Sequence, residues 1–266
     1  MPLLAAHACA AASLDETTLR AWGLWPCLDA RLEPGGELVA RVSATRSADV
    51  VAQWHRIAGG FADHGLWPLV FDTLRRTDDR PWFSGELEAS PSSADAHDPT
   101  TVLRTWWSAV VPAEQERSAD ALQLLQPFDR TFPGLADATR GPEDPAAFTL
   151  AIGAHAGRLG VVGVTRPADV VAALGWQGPV NHYGDMGALA AVLRSWEDRF
   201  GATVIGIGFD TLTLAVTRPP RSLDHAHRIA AEHMAVCMDC IYQGSGTIDE
   251  HAHSLVGATT WSFWWD

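Results

Sequence analysis

The residues best suited to chemistry lie between positions 232 and 240, in the run Glu232-His233-Met234-Ala235-Val236-Cys237-Met238-Asp239-Cys240. His233 and Cys237 are four apart, so on a helix they share one face a turn from each other. Two chemistries follow. In the first, Cys237 is a nucleophile deprotonated by His233, with Glu232 and Asp239 completing a catalytic set. In the second, His233, Cys237 and Cys240 bind Zn²⁺, with His251, His253 or Glu232 as the fourth tetrahedral ligand. A helix C-terminus carries the negative end of the dipole and does not stabilise a thiolate, which counts against the nucleophile. The bland alternative has more weight: Cys packs like a small hydrophobe, and Arg228, four residues before Glu232, can pair with it along the helix. His225 and His227, like His251 and His253, are separated by two; on a helix such rings diverge by about 200°, so neither pair chelates one ion and all four are expected at the surface.

The elements holding these residues are readable from periodicity and caps. Ser222 caps a helix over 223–236, and Thr247 caps another over 248–256. Residues 186–200 form an amphipathic helix with Leu189, Val192, Leu193, Trp196 and Phe200 on one stripe, closed by Gly201. Residues 202–208 and 211–217 are β-branched apolar runs joined at Phe209-Asp210, hence an antiparallel hairpin. Residues 148–152 and 159–164 read as two further strands, followed by a short helix that Pro167 opens and Gly175 ends. A final strand over 259–265 carries Trp261, Phe263 and Trp265 on one face and Ser262 and Trp264 on the other, with both faces expected to be covered. The carboxylates at Asp266 are then available to Arg194 or Arg199. If one face stays open, Trp196, Arg199, Asp210, Trp264 and Asp266 form a candidate ligand site for a cation or a planar molecule.

From Asn181 onward the chain resembles the bacterial family called domain of unknown function 4253. The residues that carry the resemblance are Leu193-Arg194-Ser195-Trp196-Glu197-Asp198-Arg199-Phe200-Gly201-Ala202, Ala231-Glu232-His233 with Cys237 and Asp239, and Trp261-Ser262-Phe263-Trp264-Trp265-Asp266, together with Gly175-Trp176 and Asn181. The family typically reads Cys-Pro-Asp-Asn where this chain has Cys237-Met238-Asp239-Cys240, so Cys240 is peculiar to this sequence. The resemblance implies positions of interest and no activity.

The stretch 77–101, rich in Asp, Pro and Ser, and the stretch 127–145, broken by Pro and Gly, read as loops or linkers, and the second divides the chain into an N-terminal part, 1–130, and a C-terminal part, 146–266. The two parts echo each other. Thr45-Arg46-Ser47-Ala48-Asp49-Val50-Val51-Ala52 differs at one position from Thr165-Arg166-Pro167-Ala168-Asp169-Val170-Val171-Ala172, and Phe71-Asp72-Thr73-Leu74 resembles Phe209-Asp210-Thr211-Leu212. The expected architecture is therefore α+β, a mixed or antiparallel sheet flanked by helices, with two similar α/β subdomains as one form of it.

Composition sets the outer limits. A formal net charge of −13 disfavours nucleic acid and anionic membrane surfaces and suits a basic protein partner or a cationic small molecule. All 19 basic residues are Arg, so Schiff-base chemistry, pyridoxal phosphate anchoring, a Walker loop and protein kinase chemistry are excluded, each needing a Lys amine. Four Cys in 266 residues are too few for a disulfide framework. The apolar run 2–12 lacks a basic start and reads as a short buried strand or helix, which places the protein in the cytoplasm. The expected function is a non-catalytic partner- or ligand-binding protein without a cofactor, an immunity- or antitoxin-like partner being one concrete form. The alternative is an enzyme or zinc protein centred on Glu232, His233, Cys237 and Asp239.

Overall fold

In the computed structural model, residues 11–74, 79–111, 123–155 and 157–266 are described; most of the run 2–12 lies outside them. Their seven strands, β1 (Cys27–Arg31), β2 (Leu38–Ser43), β3 (Leu66–Phe71), β4 (Arg158–Gly163), β5 (Ala202–Ile207), β6 (Thr211–Val216) and β7 (Thr260–Trp264), form one sheet in the order β1-β2-β4-β3-β5-β6-β7. Neighbours are antiparallel except β3 and β5, so the sheet is mixed and the fold is α+β. Strand β4 lies between β2 and β3, so the N- and C-terminal parts share this sheet. The echoing segments occupy comparable places: each Thr-Arg run follows a strand, β2 or β4, and leads into a helical segment. Yet β2 and β3 run parallel whereas β4 and β5 run antiparallel, so the echoes do not build the same unit.

Burial explains the sequence pattern strand by strand. Central strands β3 and β5 are buried at every position and read as continuous apolar runs, whereas β7, last in the order, alternates buried and exposed. Pro68 sits in central β3, where it has no N–H to give. Pairing with β5 is confined to Val70 and Phe71, beyond that proline. Two indoles serve the polar groups around it: Trp67 Nε1 donates to Val204 O at 2.8 Å and Trp54 Nε1 to Pro68 O at 3.0 Å.

The helices are α1 (Glu16–Ala21), α2 (Val50–Ala58), α3 (Phe61–His64), α4 (Pro99–Val110), α5 (Ala146–Gly153), α6 (Val170–Ala173), α7 (Met186–Phe200), α8 (Leu223–Val236) and α9 (Ile248–Leu255) among the described residues. Caps explain the ends of the last three. Asp185, Ser222 and Thr247 each accept a first-turn N–H, and Gly201, at φ 59°, closes α7 in the left-handed region. None of these helices is long and apolar enough to cross a membrane.

One expected strand is a helix. Residues 148–152 lie within α5, which begins after Pro145 with Asp144 Oδ1 accepting the Ala146 N–H at 3.0 Å. The run Ala-Ala-Phe-Thr-Leu-Ala-Ile-Gly is apolar almost throughout, so it shows no 3.6-residue stripe. Phe148 packs on Trp54, ring centroids 5.2 Å apart, while Leu150 faces out. The stretch 77–101, read as a loop, also carries the start of α4 from Pro99, capped by Asp98.

Gly175 illustrates a backbone demand. It has φ +62°, and a Cβ there would collide with the Glu88 carbonyl. Gly175→Ala should therefore lower stability by about 2 kcal/mol or more, the left-handed penalty plus the backbone clash. A urea midpoint indistinguishable from that of the parent chain would refute this.

Candidate functional site

Helices α7 and α8 lie against the β7 end of the sheet, and Glu232 joins them from inside. Its carboxylate is completely buried and accepts four hydrogen bonds. Oε1 takes the Ala136 N–H and Arg199 Nη1, both at 2.7 Å; Oε2 takes Trp196 Nε1 at 2.7 Å and Arg199 Nη2 at 2.6 Å. Arg199 also donates to Ala136 O and Ser195 Oγ and lies 4.6 Å over the Phe200 ring. The expected Arg228–Glu232 pair does not form: Arg228 reaches toward Pro133 O instead. Nor does Asp266 pair with Arg194 or Arg199, because Arg194 is bound by Asp169 and Asp95. A carboxylate whose lone pairs all have donors ties two helices and the 136 loop together, and has no free lone pair for a proton in transit.

His233 is buried beside Glu232 but turns elsewhere. Its Nδ1 lies 3.1 Å from His251 Nε2, and Trp196, Trp261 and Phe263 surround the ring with centroids 4.6–5.0 Å away. Burial pushes the His233 pKa well below its ordinary value, with smaller effects from His251 and Arg199. Burial likewise lowers His251, to about 4. Two of the four histidines expected at the surface thus face inward, His251 against His233 and His227 against Asp249 at 2.8 Å. Of their partners, His253 is exposed and His225 half-buried, with its Nε2 2.6 Å from Asp137 O.

Past the end of α8 the chain folds over the free edge of β7. Cys237 Sγ donates to Trp264 O at 2.9 Å, Cys240 Sγ lies 3.8 Å from Ser262 O, and the two sulfurs are 3.2 Å apart. Carbonyls two residues apart point the same way, so the thiols cover polar groups that an edge strand otherwise leaves bare. Asp239 extends the cover: Oδ2 accepts the Asp266 N–H at 3.1 Å and lies 3.2 Å from His182 Nε2, and Oδ1 accepts Gln243 Nε2. Cys237, Asp239 and Cys240 therefore do converge on the tail. Glu232 does not, and His233 points away from the sulfurs. Among the described residues, no group of three or more His, Cys, Asp or Glu is arranged to hold a metal ion.

The candidate ligand residues divide in two. Trp196 is buried, stacked on Phe263 at 5.4 Å and edge-on to Trp261 at 5.8 Å, and Arg199 belongs to the Glu232 staple. Asp210, Trp264 and Asp266 stand at the sheet's end instead. The expectation that both faces of β7 are covered fails there: Trp261, Phe263 and Trp265 are buried, whereas Trp264 is 39% exposed, its Nε1 donating to Asp210 Oδ2 at 3.2 Å. Strand β7 is the last of the sheet, and its Ser262 and Trp264 face lies open.

The segment so assembled, from β4 to the tail, is also the segment recognised by comparison. Residues 158–266 match the family described as Domain of unknown function (DUF4253). No curated protein matches the chain, and no solved structure does. The DUF4253 segment supplies β4 to β7 and α6 to α9, and so contains the histidine pair, the thiol pair and every member of the Glu232 staple except Ala136.

One further pair lies outside both the expected site and the matched segment, which it touches at the end of β5. Asp72 lies just beyond β3 with its Oδ2 2.8 Å from His155 Nδ1, and its N–H donates to Ile207 O. A Cβ at Gly206 would stand 3.0 Å from the imidazole, and one at Gly157 would press on the carboxylate, so both glycines make room for the pair. The repeated Phe-Asp-Thr-Leu was the available signal, since it lies at or just past the ends of neighbouring parallel strands and puts Asp72 and Asp210 at the same end of the sheet. His155 had no such marker.

Proposed function

We propose that this chain is a non-catalytic binding protein that presents Asp210, Trp264 and Asp266 to a basic partner. The observation that carries this reading is Trp264: a large aromatic held half out of the fold by a carboxylate, on a strand whose other aromatics are buried. An indole face flanked by carboxylates suits an arginine or lysine side chain, through cation–π contact and ion pairing. The net charge of −13 adds long-range attraction. Supporting the same reading, the four residues proposed for catalysis are engaged within the fold: Glu232 by four donors, His233 by His251, Cys237 by the β7 edge and Asp239 by the Asp266 N–H. An immunity-like role, the capture of a basic protein, is the concrete form of this function.

The test is fluorescence anisotropy with a labelled oligo-arginine peptide and an oligo-glutamate control. The protein should bind only the cationic peptide, with affinity falling as salt rises. Trp264→Ala and Asp210→Asn should each weaken binding about tenfold, consistent with 1–2 kcal/mol for one desolvated cation–π or charged contact. Equal binding by both variants, or none by the parent chain, defeats the proposal.

A further inference from the structure

We propose that Cys237 and Cys240 are a modification site, closing an intramolecular disulfide by exchange with a low-molecular-weight disulfide. Three observations carry this, and none depends on the binding reading. The sulfurs lie 3.2 Å apart with no residue between them. Their exposures are unequal, Cys237 being buried at 1% and Cys240 half-buried. Both lie outside the sheet at helix ends, Cys237 as the C-cap of α8 and Cys240 as the first residue of a short π-helical turn over Cys240–Ser245, so a torsional adjustment there disturbs no strand ladder.

The order of events follows from this asymmetry. Burial pushes the Cys237 thiol up, whereas the contact between the two sulfurs draws the Cys240 thiol down, against the opposing effect of its own burial. Cys240, the more accessible and more acidic thiol, attacks one sulfur of the small disulfide R–S–S–R. A new S–S bond joins Cys240 Sγ to that S–R group, the S–S bond of the small disulfide breaks, and R–S⁻ leaves and takes the proton lost by Cys240. Cys237 then gives its proton to solvent and attacks Cys240 Sγ, expelling the second R–S⁻. Two protein thiols are oxidised and one small disulfide is reduced to two thiols. The product has no S–H to donate to Trp264 O, so oxidation removes the thiol cover from the β7 edge.

The chain itself makes the test clean. No Arg follows Arg228 and there is no Lys, so trypsin releases residues 229–266 as one peptide holding these two Cys alone. Folded protein is exposed to 2-hydroxyethyl disulfide, alkylated, digested and weighed. The expected peptide is lighter than the reduced one by two hydrogen atoms and takes up no alkyl group. Cys27, also free, should carry a mixed disulfide in its own peptide. In folded Cys237→Ser, Cys240 should keep a stable mixed disulfide. In Cys240→Ser, Cys237 should react about tenfold or more slowly, as a buried thiol does. A 229–266 peptide with both thiols alkylated, or with two mixed disulfides, overturns the proposal whatever the variants do. Faster reaction at Cys237 than at Cys240 overturns the order of attack.

Discussion

Glu232→Ala is expected to cost about 3–5 kcal/mol, the range for removing one partner of a buried ion pair. The magnitude follows from what remains. Without the carboxylate, the Arg199 guanidinium keeps its charge in a site where it is 13% exposed, and the Trp196 indole and Ala136 amide lose the acceptor that Glu232 gives them. Desolvated donors without partners cost about 1–3 kcal/mol each, and part of that returns if water enters. Against a total stability of about 5–15 kcal/mol, the variant should be marginally folded. Glu232→Gln should fall between, because the amide oxygen still accepts while its NH₂ group faces a guanidinium. Urea denaturation followed by circular dichroism measures both. A Glu232→Ala midpoint close to that of the parent chain would mean that the four hydrogen bonds are not a structural staple, and would reopen a chemical role for this carboxylate. A double-mutant cycle with Arg199→Met separates the pair's coupling from the loss of the indole and amide contacts.

The staple also marks where sequence reading stops. Helices α7 and α8 are legible nearly to the residue, because Asp185 or Ser222 opens each, apolar stripes run through both, and Gly201 closes the first. Which helix meets which is not written in either stripe. Along α8 alone, Arg228 is the natural partner of Glu232 by spacing; the actual partner, Arg199, lies on another helix and is invisible to any local rule. The histidine pairs show the same limit from the other side. The divergence that prevents His-x-His from chelating one ion also forces one ring of each pair inward, so His227 and His251 had to meet something. Helix α5 failed for lack of contrast, since a run apolar on every side has no period to read. Strand β7 was placed correctly, but its position at the end of the sheet, and with it the exposure of Trp264, depends on strand order.

Stability should fall steeply as the pH drops from about 6.5 to 4, and the His233–His251 pair should account for much of the fall. In the folded protein both rings are held neutral: burial is the main cause for each, and puts His251 at about 4 and His233 well below its ordinary value. In the unfolded chain each takes up a proton near pH 6.5. Between these limits the unfolded state binds more protons, so stability rises with pH through the window and is fully present above 6.5. For His251 alone the difference amounts to about 3 kcal/mol by pH 4, and His233 adds to it with the same sign. A neutral imidazole is also what the local packing requires. His233 Nε2 is buried with no hydrogen-bond partner among the described residues, its ring packs against those of Trp196, Trp261 and Phe263, and the Arg199 charge is near, so a second proton would have nowhere to go. Carboxylates elsewhere titrate in the lower part of the same range, and a comparison removes them. His251→Gln keeps a hydrogen-bonding side chain beside His233 Nδ1 but carries no titrating group. Urea midpoints for the parent chain and this variant, taken at intervals from pH 7.5 to 4, should diverge in slope, with the variant losing about 2–3 kcal/mol less across the window. Parallel curves would show that His251 is already protonated in the folded state, and that the buried pair is not what makes this fold acid-sensitive.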